Sequence, residues 1–255
     1  MSDAPADPAS FAAVADWLGD SLDVIVPLHA LRTRRCAVWL DGPATSPRAA
    51  VVLADYVRGE PWAFGADADA AARMLGAVPG WTSVNVAADF AGAMTDALSR
   101  ATGRPVARYG DLYFAATGPI DPPPDAHVRL VTPDDAAMLR AGPDDARPGG
   151  DAFVDTLLRE GHCAAAFVDG RVVAQAHAYA LTPRHAEIGA RTTAAYRGRG
   201  LSTACGAALC RRLQETGRLP VWSTGESNTA SRRVAEKIGL KLVHRRVYLS
   251  GPSTQ

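Results

Sequence analysis

Short apolar runs of strand length alternate along the second half of the chain with stretches whose apolar positions recur every three or four residues. Cys163-Ala-Ala-Ala-Phe-Val-Asp-Gly170 runs directly into Arg171-Val-Val-Ala-Gln-Ala-His-Ala-Tyr179, which predicts two strands joined by an Asp-Gly hairpin turn. Before them the pattern predicts a strand over His127–Val131 and helices over Pro133–Arg140 and Asp151–Glu160. After them come a strand Ala186–Thr192, a helix Leu201–Thr216, a strand Leu219–Thr224, a helix Thr229–Ile238 and a strand Lys241–Leu249. The helix Leu201–Thr216 carries apolar or small residues at Leu201, Ala204, Cys205, Ala208, Leu209 and Leu213, one buried face at helical spacing. Gly217 and Gly239 supply the stops of the two helices.

The first half reads the same way. Cys36-Ala-Val-Trp-Leu-Asp-Gly42 and Arg48-Ala-Ala-Val-Val-Leu-Ala-Asp-Tyr56 predict a second hairpin, with a short insertion between its strands. Trp81–Val86 matches the strand Val221–Thr224, and a helix Asp89–Thr102, stopped by Gly103, matches Asn228–Ile238, stopped by Gly239. Each half closes on a strand with an aromatic tail, Asp111-Leu-Tyr-Phe114 and Arg246-Val-Tyr-Leu249. The shared order predicts a tandem duplication. The stiff stretch Gly118-Pro-Ile-Asp-Pro-Pro-Pro-Asp125 can continue neither a helix nor a central strand, and marks the boundary. The expected organisation is a domain over residues 1–118, a proline-rich linker over 119–126 and a second domain over 127–255.

Composition narrows the function classes. A chain of 255 residues, 47% hydrophobic and 21% charged, has the balance of an ordinary globular protein with room for one large or two small cores. Lys+Arg 27 against Asp+Glu 27 sums to zero, which argues against a nucleic-acid or anionic-membrane partner, since both need a cationic excess. Lys237 and Lys241 are the only lysines, so nearly all positive charge is arginine, the better residue for holding phosphate. The segment MSDAPADPASFAAVADW lacks the basic start and apolar run of an export signal, and no stretch reaches membrane-spanning length. Cys36, Cys163, Cys205 and Cys210 form no CxxC pair, so they read as reduced thiols of a cytoplasmic protein, with no metal site expected.

The chemistry concentrates between the strand Ala186–Thr192 and the helix that follows. Tyr196-Arg-Gly-Arg-Gly-Leu-Ser202 is a glycine-rich strand-to-helix loop, whose backbone N–H groups and helix N-terminus together favour phosphate or pyrophosphate. Gly198 and Gly200 let the backbone approach a ligand, and Arg197 and Arg199 add formal charge. The bland alternative is a turn that merely needs glycines. The P-loop GxxxxGK[ST] is absent, and Cys205 stands near where the dinucleotide fingerprint GxGxxG would need its third glycine.

Arg197-Gly-Arg-Gly200-Leu-Ser202 resembles the acyl-CoA pyrophosphate loop of the GNAT superfamily of N-acetyltransferases, whose pattern is Arg/Gln-x-x-Gly-x-Gly/Ala. Asn228 followed by Ala235-Glu-Lys-Ile-Gly-Leu240 resembles that superfamily's later helix. The likeness runs from His127 to about Leu249, and more weakly from Leu22 to Ala115. It implies an α/β (α+β) fold in two copies, each a mixed central sheet with helices on both faces. It implies acetyl-CoA as co-substrate between the strands Ala186–Thr192 and Leu219–Thr224. The pantetheine arm would lie along the backbone at Ala190, Arg191, Thr192 and Thr193, as an added strand does. The diphosphate would sit on Arg197, Gly198, Arg199, Gly200, Leu201 and Ser202, and Asn228 would reach the cofactor from the other side. The implied reaction is direct attack of an amine on the thioester, with a small-molecule or peptide amine as acceptor.

Three positions depart from the pattern: Ser202 replaces Gly/Ala, Ala235 stands where many members carry the tyrosine that protonates the leaving thiolate, and Ser223 stands where some carry a glutamate base. Ser202 is a small change that still permits close approach, whereas the losses at Ala235 and Ser223 support an alternative reading, a non-catalytic acyl-CoA-binding or regulatory protein on the same fold. Candidate bases remain. Glu187 begins the strand leading to the loop and is either the base or a strand-edge surface carboxylate. Glu226 lies before the last helix and is either catalytic or a cap of that helix. His177 and His185 titrate near neutrality when unperturbed, but equally suit partly buried or loop positions, and Tyr248 replaces the missing tyrosine only if its strand turns toward the cleft. The first half has no such loop: Asp67-Ala-Asp69 places acid where phosphate would bind, so Leu22–Ala115 is expected to be a degenerate copy kept for packing.

Overall fold

A computed structural model describes residues 4–57 and 59–250. The outermost residues of the expected domains, 1–3 and 251–255, lie outside the described residues. In chain order the elements are α1 (Phe11–Leu18), α2 (Ile25–Thr33), β1 (Cys36–Asp41), β2 (Ala49–Ala54), β3 (Trp62–Gly65), α3 (Ala68–Leu75), β4 (Ser83–Ala87), α4 (Ala91–Thr102) and β5 (Arg108–Ala115). There follow β6 (Val128–Leu130), α5 (Ala136–Ala141), α6 (Asp151–Glu160), β7 (Cys163–Val168), β8 (Arg171–Leu181), β9 (His185–Thr192), α7 (Leu201–Glu215), β10 (Leu219–Gly225), α8 (Thr229–Ile238) and β11 (Lys241–Ser250). Both Asp-Gly hairpins form. The second turns on Asp169 and Gly170, at φ 49° and 70°, the left-handed pair that a two-residue hairpin turn demands.

The chain divides into two compact units. One comprises residues up to Leu112, Gly225–Ser227 and the chain from His244 onward; the other comprises Tyr113–Thr224 and Asn228–Val243. The first unit's sheet has the order β1-β2-β3-β4-β11. Its pairs β1–β2 and β2–β3 are antiparallel and β3–β4 is parallel. One face packs α3 and α4 on Trp39, Val51, Val84 and Val86, and the other packs α1 and α2 on Val38 and Val52. Strand alternation decides this: neighbours in sequence serve opposite cores.

The second unit's order is β10-β9-β8-β7-β6, with β7–β8 and β8–β9 antiparallel and β9–β10 parallel. The succession antiparallel, antiparallel, parallel thus occurs twice along the chain, in the order the duplicated pattern predicts. On one face Leu139, Val154 and Leu157 of α5 and α6 pack against Cys163, Ala165 and Val172. On the other, α7 lies against β6 to β9, burying Leu201, Ala204, Cys205, Leu209 and Leu213.

The last strand departs from a self-contained repeat. β11 is antiparallel to β4, with Arg246 opposite Ala87 and Ser250 opposite Ser83. Its Arg246 side chain is 1% exposed, hydrogen-bonds Asn85 and Asp23, and lies 5.3 Å from the Phe64 ring centre. Burial alone pushes the Asp23 carboxyl up. The Ser21 hydroxyl and the charges of Arg246 and His244 outweigh it and hold the carboxyl below its ordinary value.

Candidate active site

The site grows from the way β9 and β10 part. They pair as parallel neighbours only at His185–Leu219, Ala186–Pro220 and Glu187–Val221, although both strands run on, to Thr192 and Gly225. Beyond Glu187 no backbone pair joins the two strands, which leaves room between them for a third, strand-like partner. Glu187 sits at the fork, 1% exposed, and its Oε1 accepts the Ser223 N–H at 2.8 Å. The surface-edge alternative for Glu187 is thereby excluded: this carboxylate is buried between the separating strands. Ser223 contributes its backbone rather than an acid.

At the far end of β9 the chain makes a 3-10 turn, Ala194–Tyr196, and enters α7 through two left-handed glycines, Gly198 at φ 78° and Gly200 at φ 83°. An L side chain is strained at either position, which explains the glycines by backbone geometry. A Cβ on either would meet nothing within 4 Å, so the space before the loop is clear. Among the described residues, none of the N–H groups of residues 198–202 donates a hydrogen bond. Both arginines fold back on the loop: Arg197 Nε donates to Thr192 O at 3.2 Å, and Arg199 Nη2 to Ala195 O at 3.2 Å, its guanidinium 4.7 Å over Tyr196. Open amides, a helix N-terminus and two held cations together suit a diphosphate.

The first unit shows what the same place looks like when filled from within. At the N-terminus of α3, Asp67 accepts the Ala70 N–H at 2.9 Å, whereas α7 begins on Gly200 with no side-chain cap. Asp69 pairs with Arg100 at 2.7 Å. One carboxylate already occupies the pole that an anion would need.

Other expected residues find different work. Asn228 caps α8, its Oδ1 accepting the Ser231 N–H at 3.1 Å, so Glu226 is not that helix's cap. Glu226 instead pairs with Arg245 at 3.1 Å and belongs to the first unit. His185 is buried, and its backbone N–H donates to the Thr182 hydroxyl at 2.9 Å. Tyr248 faces Asn85 across the β11–β4 pair and hydrogen-bonds Glu60. Ala235 is fully buried and carries no donor. Burial pushes the Cys205 and Cys210 thiols up to about 12, so neither offers a thiolate at neutral pH.

Two contacts were not legible in the sequence. The Ser202 hydroxyl, read as a tolerated replacement, lies 2.6 Å from the Thr192 hydroxyl and ties the first turn of α7 to β9. Asp145, from the segment between α5 and α6, accepts the Ala194 N–H at 2.8 Å. Its only sequence signal was an acidic pair in a glycine- and proline-rich stretch.

Comparison with known proteins agrees with this fold. Residues 153–248 match the model of the GNAT acetyltransferase family. A GCN5-related N-acetyltransferase-like protein from Streptococcus suis superposes with a TM-score of 0.67 at 21% identity, covering 95% of this chain and 98% of that one. An acetyltransferase of the GNAT family from Colwellia psychrerythraea gives 0.65 at 12% identity, with 97% and 98% covered. A tandem GNAT protein from the clavulanic acid biosynthesis pathway gives 0.56 at 16% identity, with 98% and 99% covered. No curated protein matches the chain. Among the described residues no helix is long and apolar enough to cross a membrane. Residues 153–248 thus resemble the GNAT acetyltransferase family, and the chain shares the fold of these structures along nearly its whole length.

Proposed function

We infer that the protein is an N-acetyltransferase that moves an acetyl group from acetyl-CoA to an amine, with its one working cofactor site in the half over residues 127–255. The observation that carries this reading is the fork at Glu187–Val221, with a buried carboxylate in it and an open glycine loop at its end. The residues present fit the co-substrate. Backbone at Ala190, Arg191, Thr192 and Thr193 would pair with the pantetheine amides. The N–H groups of Gly198, Arg199, Gly200, Leu201 and Ser202, with the Arg197 and Arg199 guanidiniums, would hold the diphosphate. Asn228 has its Oδ1 committed to the cap and keeps its amide N–H₂ for the cofactor. Acetyl-CoA supplies the activated carbonyl.

Of the two candidate carboxylates we assign the role of base to Glu187, because it lies in the fork while Glu226 is held by Arg245. One Glu187 oxygen is anchored on Ser223 N–H, which fixes the carboxylate in orientation. The group can then take a proton from the attacking amine, directly or through one water. Glu187→Gln keeps an oxygen to accept the Ser223 N–H and removes only the basicity. The expected result is a fall in turnover of about 100-fold, with acyl-CoA affinity unchanged, because a positioned base contributes 10²–10⁴. Thiol release from acetyl-CoA against a panel of amines, beside calorimetric titration with coenzyme A, reads both. Wild-type turnover in the variant removes Glu187 from the mechanism. Binding without turnover by the wild type over the whole panel favours the non-catalytic acyl-CoA-binding alternative, which the buried Ala235 motivates.

A further inference from the structure

Inside the second unit, on the face of the sheet that packs α6, lies a polar pair that the reading above does not use. Gln175 and His177 sit two residues apart on β8, 0% and 6% exposed, with Gln175 Oε1 and His177 Nδ1 2.8 Å apart. The Gln175 Nε2 is buried and has no hydrogen-bond partner among the described residues. A buried amide left half-satisfied is a net cost to folding, and an apolar pair would avoid it. What the pair gains is a fixed imidazole. With Nδ1–H donating to the amide oxygen, Nε2 carries the lone pair. Nε2 has no hydrogen-bond partner among the described residues, and His177 as a whole keeps 6% of its surface exposed.

The direction of that nitrogen is set by Gly189. His177 stands opposite Gly189 in the β8–β9 register, and a Cβ on Gly189 would come within 3.3 Å of His177 Cε1 and 3.4 Å of Nε2. Gly189 has no positive φ, so its backbone does not call for glycine; the missing side chain makes room for the imidazole edge. Glu187 is two residues along β9 on the same face, about 7 Å away at the strand rise. The ring is wedged edge-on by Phe153, at 5.4 Å between centroids, and by Tyr179, at 6.3 Å. Burial, with the nearby Arg191 charge, pushes the imidazole down to about 3, so it is neutral and accepts rather than donates at Nε2.

We propose that His177, oriented by Gln175 and admitted by Gly189, binds the acceptor: its Nε2 accepts a hydrogen bond from an N–H of the amine and holds it on the Glu187 side of β9. This rests on the N-acetyltransferase reading, and two arms keep the failures separate. The first needs no acceptor. Diethyl pyrocarbonate, which acylates a neutral imidazole nitrogen, is applied to the native protein and the histidine-containing peptides are weighed. Carbethoxylation of His177 is expected, and a His177 that reacts only after unfolding overturns the proposal. The second uses the amine panel. His177→Phe keeps the ring packing and removes the acceptor atom, and should raise the acceptor KM about 10–100-fold while the acetyl-CoA KM stays within twofold. His177→Gln restores an oxygen near the Nε2 position and should recover most of the loss, whereas His177→Asn, which reaches only the Nδ1 position, should not. Loss of both KM values together, or no rescue by His177→Gln, assigns His177 to packing and overturns the proposal. If no amine is turned over, the acetyltransferase reading falls and the acceptor role with it, whatever the labelling shows.

Discussion

Replacing Gly200 by alanine separates what the loop needs for folding from what it needs for binding. Gly200 is left-handed at φ 83°, so the alanine pays about 1–2 kcal/mol of backbone strain. Its Cβ meets nothing within 4 Å, so no clash is added. Gly103 is the matched control, at φ 66° with equally open space and at the end of α4. Both variants should therefore melt a few degrees lower, at about 2–4 °C per kcal/mol for a chain of this size. Only Gly200→Ala places a methyl group before the open amides of the loop. Losing one charge-assisted hydrogen bond there, about 2 kcal/mol, weakens coenzyme A about 30-fold. At a concentration 100 times the wild-type Kd, coenzyme A should stabilise the wild type and Gly103→Ala by about 2.7 kcal/mol and Gly200→Ala by only about 0.9 kcal/mol. Thermal melts with and without coenzyme A read the difference as roughly 5–10 °C against 2–4 °C. Equal ligand shifts in the three proteins would refute the loop as the diphosphate site.

Two further outcomes follow from ion pairs in which one partner is buried. Asp135 is 2% exposed and takes two hydrogen bonds from the Arg129 guanidinium, 2.6 Å each, which hold its carboxyl down at about 2. The folded value lies below the unfolded one, so the contribution, about 2 kcal/mol, is complete above roughly pH 4 and is lost as pH falls toward 2. Asp135→Asn should cost that amount at pH 7 and almost nothing at pH 2, in urea melts at both values; an equal loss at both contradicts the assignment. Arg246→Met strips a buried partner from Asn85 and Asp23 and should destabilise the first unit by about 3–5 kcal/mol. Hydrogen exchange should quicken in β4 and residues 244–250 while β8 and β9 are unchanged; unaltered exchange in β4 counts against the network.

What the sequence made legible and what it hid divide along physical lines. The hairpins were readable because Asp169 and Gly170 state a local conformation, and a two-residue turn fixes the register of its strands. Helix α6 was readable to its ends, and α7 to within a residue at its C-terminus, because apolar spacing and a following glycine are also local. The partner of β11 was not readable. Its aromatic tail suited any sheet edge, and pairing with β4 depends on Arg246 finding Asn85 and Asp23, residues remote along the chain. The site splits in the same way. Gly198 and Gly200 announce themselves, since their φ values admit little else. Glu187 kept two readings, because a carboxylate at a strand's start looks alike whether it meets solvent or the Ser223 N–H. Gly189 signalled only half of its role: a glycine inside a strand marks a close approach, but only the fold shows that the approaching group is His177. Local conformation is written residue by residue. The chemistry of this fork depends on which groups three strands bring together, and their register follows from turns and packing that no single motif contains.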